Sequence, residues 1–79
     1  MSQAELIRQG QIAGKKQERA VAVIAAKAAL RSLANAAAYA IPKPVEDINT
    51  AELAAHLEQL TAKQEEVQRI DQELSELTY

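Results

Sequence analysis

Leu53, Leu60, Val67 and Leu74 recur at strict seven-residue intervals, with Leu57 beside the series early and Ile70 and Leu77 beside it late. Positions three, four and seven apart share one side of a helix, so this spacing predicts an amphipathic helix with one narrow apolar seam. The rest of its surface is Glu, Gln, Lys, Arg and small residues. Gln64 and Asp71 occupy the heptad position that Leu57 holds earlier, so the seam drifts sideways and suits a short bundle better than a long uniform coiled coil.

The stretch from Ala20 to Ile41 is apolar nearly all round, with only Lys27, Arg31 and Asn35 forming a polar stripe. Val23, Leu30, Leu33 and Ile41 mark one face, and an adjacent face reads Ala22, Ala26, Ala29, Leu33, Ala36, Ala40. Small side chains at that 4-3-4-3-4 spacing let another helix approach to about 8 Å, the short end of the usual range. A helix apolar all round belongs in an interior, and one narrow partner cannot cover it. The expected division is a hairpin seam of Val23, Leu30, Leu53, Leu57, Leu60, Val67, Ile70 and Leu74, with the Ala series left for a second chain, the N-terminal segment or a partner protein.

Pro42 and Pro44 lack backbone donors and bias the residues before them away from the α region, which predicts a helix end near Ala40 and a connector over 41–49. Asn49 followed by Glu52 fits a capping box, so the second helix should begin at Thr50. Ser2 and Glu5 repeat that signature at the other end. Gly10 and Gly14 each weaken a helix by about 1 kcal/mol relative to Ala, which predicts a kink or break there and sets residues 1–14 apart as an apolar arm carrying Leu6, Ile7 and Ile12. The expected fold is therefore all-α, a single domain over 1–79. It is an antiparallel helical hairpin, helices about 15–40 and 50–77, with a helical N-terminal arm, completed as a bundle by self-association.

Composition strengthens the case for association. Of 79 residues, 17 are Ala and 18 are Leu, Ile or Val, with no Phe, Trp or Cys. Burial at roughly 25 cal/mol per Å² scarcely offsets an ordering cost of about 1.5 kcal/mol per residue in so small a chain. A disulfide is impossible and no set of metal ligands has a recognisable spacing, so a homo-oligomer, a dimer before larger assemblies, is expected.

The charges are divided between the halves. Residues 1–41 carry six basic against two acidic side chains, and 42–79 carry nine acidic against three basic. An antiparallel hairpin sets positions that add to about 90 opposite each other, bringing Lys15, Lys16 and Arg19 towards Asp71, Glu73 and Glu76. The basic track Lys15, Lys16, Arg19, Lys27, Arg31 is the alternative reading, as phosphate contacts of a nucleic-acid accessory protein. It lacks interleaved aromatics and helix-turn-helix spacing, so pairing within the chain is preferred.

Candidate chemistry is sparse. His56 one turn after Glu52 offers two metal ligands without a third, and the crowded carboxylates of 65–76 alternate with Gln and Arg as on a solvated face. No nucleophile elbow or phosphate-binding Gly loop occurs, so neither an enzyme nor a cofactor is expected. Lys27 and Arg31 interrupt the apolar stretch, which argues against a signal peptide or membrane span and for a cytoplasmic protein. The function expected is a non-enzymatic protein-protein interaction module: a scaffold, adaptor, chaperone or small inhibitor.

Overall fold

A computed structural model describes residues 2–78. Helix α1 runs Gln3–Ala40, a single 3-10 turn spans Val45–Asp47, and helix α2 runs Thr50–Leu77, with no strand among the described residues. The protein is an all-α hairpin.

Both helix starts follow from their caps. The Ser2 hydroxyl accepts from the Glu5 amide at 3.2 Å, and the Asn49 side-chain oxygen accepts from the Glu52 amide at 3.1 Å. Each satisfies one of the first-turn donors that have no partner within the helix. At the end of α1, the Lys43 amide donates to the Ala40 carbonyl at 3.0 Å. In the connector, the Asp47 amide donates to the Pro44 carbonyl at 2.9 Å.

The break expected at Gly10 and Gly14 is absent. Helix α1 passes through both without interruption, and neither has positive φ. The glycines are separated and flanked by Ala, Leu, Arg, Gln, Glu and Lys, all good helix formers. A break would leave new backbone groups needing caps, so continuing the helix costs less. The N-terminal arm is thus the first part of α1.

The helices pack against each other in antiparallel fashion. Ion pairs join Lys15 to Glu73, Arg19 to Asp71 and Glu18 to Arg69, positions whose numbers add to 87 to 90. That register agrees with the charge pattern. With 38 residues in α1 and 28 in α2, the first helix overhangs the open end by about 15 Å at 1.5 Å per residue. The molecule measures 65 × 15 × 12 Å, a slab one helix thick.

Among the described residues only Ala22 and Ile70 are buried. Ala22 is 5% exposed and Ala26, Ala29, Leu33, Ala36 and Ala40 are half-buried, and α2 is the helix that packs against α1. The Ala series, expected to meet a second chain or a partner, thus lies on the side of α1 that turns towards α2. Large residues of α2, the half-buried Leu53, Leu60, Val67 and Leu74 and the fully buried Ile70, complement the small ones of α1. Of the residues expected in the seam, Leu30 and Leu57 are 43% and 53% exposed, while Val23 is half-buried like Leu53, Leu60, Val67 and Leu74.

Candidate interaction surfaces

At the open end, the Lys15 ammonium donates to Glu73 and lies 3.2 Å from Glu18. Arg69 bridges the same two acids, at 2.8 Å from Glu73 and 3.8 Å from Glu18. On the opposite side of the slab, the Arg19 Nε donates to Asp71 at 2.5 Å. The hydrogen bonds to Glu73 and then Glu18 hold the Lys15 ammonium above its ordinary range, and the bond from Lys15 holds the Glu73 carboxyl below its own. Asp71 similarly raises Arg19. The Lys15–Glu73 and Arg19–Asp71 pairs fall in the same stretch of the register as the fully buried Ile70, and long side chains of this kind can cover apolar surface while their charged ends stay in water. Sequence reasoning foresaw Lys15 and Arg19 pairing with α2 but missed Arg69. Its signal was the i, i+4 spacing to Glu73.

The side of the slab beyond the Arg19–Asp71 pair carries an open groove of about 470 Å³. Val23, Ala26 and Leu30 of α1 and Leu60 and Val67 of α2 line it, with Lys27, Gln64 and Gln68 at the rim. Leu30 and Leu60 therefore line the same groove near mid-helix, level in the hairpin register. The other broad side is charged, with Lys63 3.9 Å from Glu66 and the Lys15–Glu18–Arg69–Glu73 cluster.

The back of α1 forms a third surface. Val21 and Ile24 are 62% and 66% exposed, and Tyr39 is 78% exposed. Lys16, Lys27 and Arg31 run between this face and the groove and make no ion pair among the described residues. The basic track thus divides: Lys15 and Arg19 turn inward to α2, and three cations remain on the surface. By length and composition α1 is also apolar enough to cross a membrane. His56 is half-buried with its Nε2 3.9 Å from Glu52, while its buried Nδ1 has no hydrogen-bond partner. No group of three or more potential metal ligands occurs among the described residues.

No family model matches the chain, and comparison with curated proteins and with solved structures returns no significant match.

Proposed function

We propose that this protein is a non-enzymatic helical interaction module that works by self-association, pairing two hairpins into a four-helix assembly that then engages a protein partner. The observation that carries this reading is area. The chain exposes 6019 Å², whereas a compact monomer of 8.6 kDa exposes about 4,700 Å². The excess, roughly 1,300 Å², lies within the share each subunit of an obligate homodimer buries, roughly 1,000 to 2,500 Å². A one-layer slab with two buried residues among those described has the surface of half a bundle.

Light scattering across a concentration series tests it. The expected result is about twice the 8.6 kDa chain mass at micromolar concentration, with a melting temperature that rises with protein concentration. A constant mass of 8.6 kDa with a concentration-independent melt would overturn it. The second reading, a nucleic-acid accessory protein, draws on the unpaired row Lys16, Lys27, Arg31. Binding to duplex DNA that weakens steeply with salt, and is lost when Lys27 and Arg31 become Gln, would favour that alternative.

A further inference from the structure

Resting on the self-association reading, we infer that the second hairpin sits on the groove side of the slab, with α1 of one copy lying antiparallel over α2 of the other about a two-fold axis parallel to the helices. Three surfaces compete for the second copy, and their chemistry separates them. The Lys63–Glu66 side is lined with charges already satisfied within the chain or by water, so covering it would strip solvent from ions without supplying new partners. The back of α1 offers Val21 and Ile24, but only one helix contributes there and Gln17, Arg31 and Asn35 interrupt its apolar row. The groove side, like the charged side, is built by both helices, but among the described residues it carries no ion-pair cluster across its middle. Its floor is apolar, Leu30 lines it while 43% exposed, and Leu57, 53% exposed, stands one heptad before Gln64 of its rim, where a ridge of a third helix can seat.

Charge then selects the symmetry. The groove spans residues 23 to 30 of α1, so a two-fold axis crossing the helices at its midpoint would set Lys27 against the Lys27 of the second copy. It would bring the whole row Lys16, Lys27, Arg31 against its own copy, with no acid on that flank of α1. An axis parallel to the helices instead lays α1 over the partner's α2. By the register of 87 to 90, Lys27 is then level with the partner's Thr61 and Arg31 level with the partner's Glu58. That flank of α2 carries Thr61, Gln64 and Gln68, with Glu58 and Glu65 on the outer face beyond, so like charges are avoided and opposite ones approach.

The chain has no cysteine, so single-cysteine variants report the arrangement directly. Leu30→Cys and Leu57→Cys lie level in this register and are both partly exposed, so each should fold. Refolded together and oxidised, the two variants should give a covalent mixed dimer, since a disulfide needs Cα atoms within about 7 Å, and neither should cross-link with itself. Self-linking of Leu30→Cys alone would establish α1 over α1 and overturn the proposal, as would no mixed product from a protein that is dimeric by mass. Leu57→Glu should reduce the mass to that of one chain while helicity is kept, and Ile24→Glu should leave the dimer intact. The reverse pattern would move the interface to the back of α1. A parent protein that is monomeric throughout refutes self-association itself, a result distinct from a dimer that fails the cross-link.

Discussion

Replacing Ile70 by Ala would remove the outer carbons of the only large side chain that the described residues bury completely. About three buried carbons at about 0.8 kcal/mol each give roughly 2.4 kcal/mol of lost transfer free energy. A cavity term adds to this. Because the site lies in a hairpin one helix thick, where exposed neighbours can settle into the space, the total should fall near the low end of the usual range, about 2 to 3 kcal/mol. For a chain of this size that corresponds to a melting temperature lower by roughly 10 to 20 °C. The assay is thermal unfolding followed by far-ultraviolet circular dichroism at matched protein concentrations, so that association does not bias the comparison. Val21→Ala is the control. With its side chain 62% exposed on the back of α1, it should stay within about 0.5 kcal/mol of the parent. A loss below about 1 kcal/mol for Ile70→Ala, or equal losses for the two variants, would refute the reasoning that Ile70 is the packing centre of the open half.

Gly10→Ala and Gly14→Ala should each stabilise the protein by about 0.5 to 1 kcal/mol, because both sites are helical and a Cβ there meets nothing within 4 Å; unchanged or lowered denaturant midpoints would show that the segment is not helical in solution. Ala29→Leu should cost about 1 to 3 kcal/mol by overpacking the inner face, while Glu58→Leu on exposed α2 surface should not, and equal small effects would contradict the close approach of the helices. The Glu73 carboxyl titrates lower in the hairpin than in the unfolded chain, chiefly through its bond from Lys15, so its contribution is present above the unfolded value and is lost as pH falls through the folded one. Glu73→Gln should therefore flatten the acid limb of a stability-pH curve, and an unaltered limb would remove the pair from the account.

Much of the fold is legible in the sequence because its boundaries have local causes. Pro42 and Pro44 end α1 at Ala40, and Asn49 with Glu52 starts α2 at Thr50, each decided within a few residues. The antiparallel register was legible too, since opposite charges in opposite halves leave few ways to pair. The assignment of faces was not. On α1 the Ala series and the row of Val23 and Leu30 lie less than a third of a turn apart, and periodicity alone does not say which meets α2. Large residues look like the seam, yet bulky α2 side chains fit best against small ones, so Ala22 is buried while Leu30 remains at the edge. Gly10 and Gly14 misled for a related reason. A residue's own helix cost was weighed without the cost of ending and restarting a helix around it.

The ion pairs of the open end join residues 58 and 52 positions apart in the chain, whereas the inner-face residues beside Pro42 meet neighbours only about a dozen positions away. Loop closure costs more over longer separations, so contacts should form first beside the prolines and then zip outward, with Lys15, Arg19, Asp71 and Glu73 the last to engage. The same order runs backwards in opening. Amide exchange should be slowest near the connector and fastest in the overhanging first turns of α1, with the charge clasp as the latch between them. A modification or bound ion that neutralised Lys15 or Glu73 would then change how often the hairpin parts at its far end, while its turn stayed closed.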